Sequence, residues 1–257
     1  MENLKTAFPN KTESERKKIA RQFYHNFIDN FIEAVKLISA KPSWIADHYS
    51  MDTELFDRFY AQGRKTQMHL GHMFNWELAS VGVPLCLKGK IITAYIPVGS
   101  QALDRIFFNM RSKTGCIPVP ATDMTRAMMP YRNTIYMLAL VADQAPGNLK
   151  RAYWLNFFGQ PTPFMRGPEK GAQAGNIPVI FINFYKNRRG YYYGKTRLAS
   201  DNPQSLPDGE LTRIYARYLE EVITENPEMY LWSHKRWKHG WKEEYGKMWI
   251  DKTESPS

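Results

Sequence analysis

The sequence is poor in cysteine and has no long apolar run. Cys86 and Cys116 are the only cysteines among its 257 residues, and their spacing matches no metal-ligand pattern. A disulfide framework is therefore not indicated, and a reducing compartment suits the chain better than an oxidising one. A membrane-spanning helix needs about 20 predominantly apolar residues, and no stretch of this sequence is that long.

Several common functional signatures are missing as well. The sequence has no phosphate-cradling glycine loop of the GxGxxG or GxxxxGK type. It has no GxSxG motif, so a nucleophilic serine of the esterase kind lacks its usual setting. His69 and His72 are spaced closely enough to share a metal ion, but no further His or Cys cluster lies near them. We therefore expect no metal site.

What the chain does have is an excess of positive charge. Lys and Arg number 35 against 25 Asp and Glu, which gives a net charge of +10 and a pI of about 9.5. Such an excess favours anionic partners, which include nucleic acid, anionic lipid and an acidic carrier. The 43% hydrophobic content is enough for a sizeable core, and the 14% aromatic content points to a surface that meets an interface.

The first strong pattern predicts a helix that begins after Thr12. Thr12 and Glu15 form a capping-box pattern, and apolar residues then recur at helical spacing. These are Ile19, Phe23, Phe27, Phe31, Val35 and Ile38. In the simpler interpretation this stripe packs against the core. Because the stripe is so aromatic, contact with lipid is the alternative.

Beyond residue 90, apolar strands alternate with helices. The predicted strands are 91–98, 116–119, 135–142, 178–185 and 191–198, and predicted helices begin at Ser100, Pro168 and Asp208. This alternation is typical of a mainly parallel sheet covered on both faces. The sequence therefore predicts an α/β fold with a mainly parallel central sheet flanked by helices.

The segment 230–249 mixes aromatic and cationic side chains. It holds Trp232, Trp237, Trp241 and Trp249 among Lys235, Arg236, Lys238, Lys242 and Lys247. Such side chains suit the headgroup zone of a membrane, where apolar bodies and polar tips are both satisfied. The alternative is a terminal helix whose tryptophans close the core while its lysines face water.

The segment that says most about chemistry is MHLGHMFNWELAS, residues 68–80, which holds His72 and Glu77. On one continuous helix, residues five apart are separated by roughly 140° around the axis, so these side chains would not face each other. If Asn75 caps a helix that begins at Trp76, the Glu77 carboxylate can fold back to the imidazole. A carboxylate on Nδ1–H leaves Nε2 free to take a proton from a hydroxyl, as a general base must. The spacing alone is weak evidence, because it arises often by chance.

Five segments together carry a family resemblance. GHMFNWELA resembles the histidine–four residues–acid motif of the bacterial lipid A biosynthesis acyltransferases, the late enzymes of lauroyl and myristoyl type within the lysophospholipid acyltransferase superfamily. The other matching blocks, in order, are NLKTAFPNK, YIPVGSQALDRIFFNMRSKTG, ADQAPGNLKRAYWLNFFGQPTPFMRGPEKGA and NPEMYLWSHKRWKH. The resemblance covers nearly the whole chain, and the ordered set is far more specific than any single motif.

The resemblance implies catalytic roles for two residues and a binding role for a third. His72 would be the general base, and Glu77 would be its orienting partner. Arg111 stands at the family's arginine position, where it would hold an anionic group or the developing oxyanion. We expect the lipid hydroxyl to attack the thioester carbonyl directly, with no acyl-enzyme intermediate, because neither cysteine stands in a recognisable nucleophile setting.

Three further residues are substrate-binding candidates. Asp143 ends the predicted strand 135–142, and sites in α/β proteins gather at the carboxyl ends of strands. Arg166 and Gly167 fall in the block that begins with ADQAPGN. For Asp143, as for Arg111, a buried ion pair that supports the fold is the alternative role.

For the protein as a whole, the resemblance implies a glycerol-phosphate-acyltransferase-like fold and transfer of a fatty acyl chain from a thioester to a lipid hydroxyl. The implied acyl donor is the thioester of acyl carrier protein, or acyl-CoA. The implied acceptor is a lipid A precursor. The implied place is the cytoplasmic face of the bacterial inner membrane, so the membrane surface is a further partner. No metal or organic cofactor is implied for the chemistry, and nucleic acid is not an expected partner.

Family members normally begin with a hydrophobic membrane-anchoring helix. We expect residues 1–257 to form one acyltransferase domain that lacks this native anchor. Two other functions stay open. One is the same chemistry on a lysophospholipid or an amino-acid-headed lipid. The other is a non-catalytic basic protein that binds membranes or nucleic acid through stretches such as SHKRWKHGWK.

Overall fold

The computed structural model describes residues 1–256. Its strands are β1 (Tyr49–Met51), β2 (Thr66–Leu70), β3 (Lys90–Tyr95), β4 (Cys116–Pro120), β5 (Tyr136–Val141), β6 (Ala152–Phe157), β7 (Gln160–Met165), β8 (Val179–Arg188) and β9 (Tyr191–Ser200). Its α-helices are α1 (Glu2–Ala7), α2 (Glu13–Ser39), α3 (Pro42–His48), α4 (Glu54–Ala61), α5 (Trp76–Cys86), α6 (Gln101–Ser112), α7 (Met124–Met128), α8 (Gly167–Gly175) and α9 (Glu210–Glu225).

Seven of the strands that lie within residues 1–256 form one sheet, in the order β1-β9-β8-β2-β5-β3-β4. Neighbouring strands run parallel except β8 and β9, which are antiparallel. The prediction of an α/β fold with a mainly parallel sheet is therefore confirmed. β6 and β7 form a separate antiparallel hairpin, which the sequence analysis does not predict.

Helices cover both faces of the sheet. Tyr218 of α9 stacks on Phe181 of β8, with 4.7 Å between the ring centroids. Phe184 lies three residues along the same strand, so it points to the opposite face, where it contacts the Tyr49 ring. α5 packs on that second face, because a Cβ atom at Gly82 would come within 2.4 Å of the Tyr49 ring. α5 and α9 therefore enclose the sheet from opposite sides.

The central strand β2 is unusually polar for its position. It reads TQMHL and is buried along its whole length. The side chains of Gln67 and His69 satisfy each other across 2.9 Å, and burial lowers the pKa of His69 to about 3, so its ring is neutral. This pairing lets a polar strand cross the core and end two residues before His72.

Helix α2 begins with the predicted capping box. Thr12 Oγ1 accepts a hydrogen bond from the Glu15 backbone N–H, and the Glu15 carboxylate accepts one from the Thr12 N–H at 2.7 Å. The apolar stripe that follows is divided: Phe23 is buried, but Val35 is 68% exposed. The core interpretation therefore holds only for the first part of the stripe. Among residues 1–256, no helix combines the length and the apolar character needed to cross a membrane.

The segment 230–249 does not form a terminal helix. It lies against the β6–β7 hairpin as irregular chain with a 3₁₀ turn at Glu243–Met248. Trp154 of β6 is fully buried, stacks on Tyr245 at 4.8 Å and meets Trp241 edge-on at 5.4 Å. The alternative, in which the tryptophans close the core, is confirmed in part: Trp232 is buried, and Trp241 and Trp249 are half-buried against the Trp154 cluster. The helix is wrong, because these tertiary contacts override local propensity. The headgroup interpretation stays a prediction.

Candidate active site

The candidate site forms where two neighbouring parallel strands end. In the register of β2 with β5, Leu70 pairs with Val141. His72 and Asp143 each lie two residues beyond that pair, so the strand pairing brings them to the same edge of the sheet. Sites in α/β proteins gather at this edge, beyond the carboxyl ends of the strands.

The Asp143 carboxylate holds His72 at two points. Oδ1 lies 2.6 Å from the ring nitrogen Nδ1, and Oδ2 accepts a hydrogen bond from the His72 backbone N–H at 3.1 Å. Burial by itself would raise the pKa of Asp143. The charge and hydrogen bonds of His72, with a smaller contribution from Arg236, outweigh burial and lower that pKa below its usual value. Asp143 is therefore an ionised carboxylate that fixes both the position and the tautomer of the ring.

The other ring nitrogen of His72 faces outward. With the proton on Nδ1, Nε2 is an acceptor, and the side-chain amide of Gln144 lies 3.2 Å from it. The His72 side chain is 20% exposed, whereas Asp143 is 1% exposed. A hydroxyl that replaced the Gln144 amide would meet a ring already oriented to remove its proton.

The predicted break between His72 and the next helix is present. Asn75 is the N-cap of α5, and its side-chain oxygen accepts hydrogen bonds from the N–H groups of Glu77 and Leu78 at 2.9 and 3.0 Å. The Asn75 amide donates in turn to Glu33 of α2 at 2.6 Å. The cap therefore fixes where α5 begins, and His72 precedes it.

The predicted contact between Glu77 and His72 is wrong. The Glu77 carboxylate faces Arg111 instead, with Nε 3.0 Å from Oε2 and Nη2 2.6 Å from Oε1. Trp76 links the two groups: its ring meets His72 edge-on at 5.7 Å, and its indole N–H donates to Glu77 at 3.2 Å. Glu77 lies in the first turn of α5, as expected, but the carboxylate that reaches the imidazole comes from the end of the neighbouring strand.

Arg111 lies in the last turn of α6. Its side chain is 17% exposed and that of Glu77 is 7% exposed, so the ion pair is largely shielded from water. The guanidinium also lies over the ring of Phe107, 5.4 Å from the centroid. Burial would lower the pKa of Arg111, but the Glu77 carboxylate outweighs burial and raises it. Arg111 is thus a fixed cation beside the His72 region.

Arg166 and Gly167 belong to a different cluster. Gly167 is the first residue of α8, and Arg166 precedes it as the N-cap. The Arg166 guanidinium pairs with Asp208 at 3.4 Å and lies 4.5 Å from the centroid of the Tyr153 ring. Within the described residues 1–256, no hydrogen bond or ion pair links Arg166 to His72. Substrate binding by Arg166 and Gly167 stays a prediction.

Two further residues near this edge of the sheet are predicted by no sequence pattern. One is Gln144, whose only sequence signal is its place directly after Asp143 at a strand end. The other is His234, whose Nε2 accepts a hydrogen bond from the Ala145 N–H at 3.2 Å. Within residues 1–256, no group of three or more His, Cys, Asp or Glu side chains is placed to hold a metal ion.

The comparison with known families covers most of the chain. Residues 1–239 match the family model described as bacterial lipid A biosynthesis acyltransferase. No characterised protein sequence shows a significant match to the chain. The family match includes both strand ends of the site and the Glu77–Arg111 pair. The chain therefore belongs to the bacterial lipid A biosynthesis acyltransferase family and is an acyltransferase.

Proposed function

We propose that this enzyme transfers a fatty acyl chain from an acyl thioester to a hydroxyl of a lipid A precursor, on a glycerol-phosphate-acyltransferase-like fold. The observation that carries the proposal is the His72–Asp143 pair, in which the buried carboxylate holds Nδ1 and leaves Nε2 at the accessible edge. The family supplies the reaction class. The pair supplies the general base that the reaction needs.

In the proposed reaction the acceptor hydroxyl displaces the Gln144 amide and gives its proton to His72 Nε2. The hydroxyl oxygen then forms a bond to the thioester carbonyl carbon. The resulting tetrahedral intermediate collapses, the carbon–sulfur bond breaks, and the sulfur leaves as a thiol after taking the proton from His72. Asp143 stabilises the imidazolium that exists between these two proton transfers.

We further propose that the Glu77–Arg111 pair binds negative charge near the base. A guanidinium has five N–H donors, which is more than the two contacts to Glu77 use. The carboxylate fixes the plane of the guanidinium, so the remaining donors point in a set direction. They would hold an anionic group of the lipid or the developing oxyanion.

The proposed donor is the thioester of acyl carrier protein. Lys235 and Lys238 are exposed and follow His234 on the segment that bonds to Ala145. Ala145 lies two residues after Asp143. This surface is cationic, and the whole chain carries a net charge of +10. An acidic carrier would be attracted to it. Acyl-CoA, which is also anionic, is the alternative donor.

The proposed location is the cytoplasmic face of the bacterial inner membrane, with α2 lying on the lipid surface. Six apolar side chains of α2 are more than half exposed, and at 100° per residue they span an arc of about 120°. They are Tyr24, Ile28, Phe31, Ile32, Val35 and Ile38; we call this set the α2 apolar face. A contiguous exposed apolar face on a basic protein suits an anionic bilayer.

The α2 apolar face continues towards α6. The Lys113 ammonium, just after α6, donates to the backbone oxygens of Leu37 and Ile38 at 2.6 and 2.7 Å, which ties the end of α6 to the end of α2. Leu103 and Ile106 of α6 are 48% and 42% exposed. Arg111 also lies on α6. A lipid surface at the α2 apolar face would therefore lie along the helix that holds this proposed binding residue.

The first prediction concerns the base. Replacing His72 by Ala should lower kcat at least 1000-fold, and Asp143→Asn should lower it by about 100- to 10,000-fold. The two N–H groups of His72 contact different oxygens of Asp143, so an asparagine must present its NH₂ group, which cannot accept, to one of them. The measurement is mass-spectrometric detection of acylated product from acyl carrier protein thioesters of several chain lengths and a lipid A precursor. His25→Ala, at an exposed position of α2, is the matched control and should retain activity.

Near-normal turnover by a folded His72→Ala enzyme would overturn the proposed mechanism. Offering a lysophospholipid in place of the lipid A precursor tests the acceptor. If the lysophospholipid alone were acylated, the chemistry would stand and the acceptor assignment would fail.

The second prediction concerns Glu77 and Arg111. Glu77→Leu or Arg111→Met alone should lower the free energy of unfolding by about 3 kcal/mol, because each leaves a largely buried charge without its partner. The double variant should lose clearly less than the sum of the two single losses. Chemical denaturation measures this. The exposed Arg197–Glu221 pair is the control, and its coupling should stay below about 1 kcal/mol. Strict additivity at Glu77 and Arg111 would contradict the structural coupling.

The third prediction concerns the α2 apolar face. Phe31→Glu or Val35→Glu should weaken binding to vesicles that contain anionic phospholipid by about tenfold or more, because each removes apolar area and adds repulsion. Vesicle co-sedimentation measures the partition. Gln22→Glu is the matched control, since Gln22 is exposed on another side of the same helix and the charge change is equal. Equal binding by Val35→Glu and Gln22→Glu would rule out this face as the lipid contact.

A further inference from the structure

His234 holds the loop that follows β5. Residues 142–148 form irregular chain after the strand ends, and the Ala145 N–H in this loop donates to Nε2 of His234 at 3.2 Å. The amide of the preceding residue, Gln144, lies against the His72 ring. A side chain 89 residues along the sequence therefore fixes the loop directly beside the group that contacts the ring.

The backbone around His234 is bonded to His72 as well. The Leu231 N–H donates to the His72 backbone oxygen at 3.0 Å, and the His234 N–H donates to the Leu231 oxygen at 3.3 Å. One residue beyond His72, Met73 pairs with Tyr230 in an isolated antiparallel bridge. His234 thus belongs to a short segment that is hydrogen-bonded alongside His72.

These contacts close a ring of bonds around His72. On one side the ring passes from the imidazole to Asp143 at 2.6 Å and then along the chain to Ala145. From Ala145 it crosses to His234, and it returns to the His72 backbone through Leu231. Each link is a covalent bond or a hydrogen bond, so a change at His234 reaches the His72 ring along a defined path.

Asn3 of α1 supports His234 from outside this ring. Its side-chain amide donates to the backbone oxygens of Trp232 and His234 at 2.8 and 2.7 Å. An amide NH₂ group has two hydrogens to donate, and here the two bonds fix the backbone on either side of Ser233. The His234 side chain therefore extends from a backbone that is held in place.

His234 can accept the bond from Ala145 only while its Nε2 carries no proton. Burial, followed by the charge of Arg236, lowers the pKa of His234, so the ring is neutral at neutral pH. In the neutral ring that accepts at Nε2, the proton lies on Nδ1. The geometry of the contact and the charge state of the ring therefore agree.

We propose that His234 is a positioning residue for the acyl-transfer site, which acts by holding the Ala145 N–H. The loop fixed in this way keeps Asp143 on one nitrogen of the His72 ring and Gln144 on the other. The inference rests on the proposed function, in which His72 is the general base. His234 acts through the loop and not on the reacting atoms.

The loop needs this support because Asp143 lies beyond the end of β5. The Ala142 N–H still donates to the Leu70 oxygen of β2 at 3.3 Å. The two contacts between the Asp143 carboxylate and His72 fix these residues to each other. The bond at His234 fixes the far side of the loop, and a displacement of about 1 Å at a catalytic group can lower a rate by about 100-fold.

The test compares His234→Phe with His234→Gln. Phenylalanine keeps a ring but cannot accept the Ala145 N–H, whereas the glutamine side-chain oxygen can take the place of Nε2. In His234→Phe, kcat for acyl transfer should fall by about 10- to 100-fold, with KM for both substrates nearly unchanged. In His234→Gln, kcat should stay within about threefold of wild type, because the acceptor is restored.

Hydrogen exchange reads the loop directly. The Ala145 N–H should exchange with solvent at least about tenfold faster in His234→Phe than in wild type, because its bond is lost. In His234→Gln the exchange rate should stay close to that of wild type.

Tyr245→Leu is the matched control for lost stability. Tyr245 is buried on the same segment 230–249, but it stacks on Trp154 of the β6–β7 hairpin. This variant should lower Tm, while kcat and the exchange rate of the Ala145 N–H stay at their wild-type values.

A merely structural role would give a different result. His234→Phe and His234→Gln would then lose activity only in proportion to their loss in Tm, and that outcome overturns the inference. Wild-type kcat in a folded His234→Phe enzyme would overturn it too. If His234→Phe does not fold, His234→Leu replaces it in the same comparison. Full activity of His72→Ala would remove the proposed function itself, whereas an inactive His72→Ala with wild-type kcat in His234→Phe would remove only the role of His234.

Discussion

The hydrogen bond between Asp143 and the His72 ring depends on the pairing of β2 with β5, and the rest of the site is arranged around that bond. The register that sets Leu70 beside Val141 brings the two side chains together two residues later. Because the carboxylate also accepts a hydrogen bond from the His72 backbone N–H, the loop after β2 and the loop after β5 are joined at their second residues. The orientation of the His72 ring is therefore a property of the sheet.

Two further charged groups contribute to the surroundings of this bond. Glu77 and Arg111 neutralise each other between α5 and α6, with the Trp76 indole between them and His72. Arg236 lies buried among aromatic rings of the β6–β7 hairpin, and its charge makes a small contribution to the lowered pKa of Asp143. The acid of the histidine–four residues–acid motif therefore serves an arginine, while the histidine is served by an acid 71 residues along the chain.

Local features of the fold can be predicted from the sequence, whereas the pairing of residues far apart in the chain cannot. The capping box at Thr12, the N-cap at Asn75 and the parallel strands follow from patterns of a few neighbouring residues, and all are present. The acid that pairs with His72 could not be predicted in that way. Glu77 and Asp143 are both candidates for the imidazole, and the register of β2 with β5 decides between them. The hairpin of β6 and β7 could not be predicted either, because it also depends on contacts with residues far along the chain. Its prolines and aromatic residues make a strand only when the segment 230–249 packs against them.

The central claim is that Asp143, and not Glu77, orients His72 as the base. The most direct measurement is the tautomer of the His72 ring, read from its ¹⁵N chemical shifts at neutral pH in wild type, Asp143→Asn and Glu77→Gln. The account predicts the Nδ1–H tautomer in wild type and in Glu77→Gln, and its loss in Asp143→Asn. The Nδ1–H tautomer retained in Asp143→Asn but lost in Glu77→Gln would contradict it.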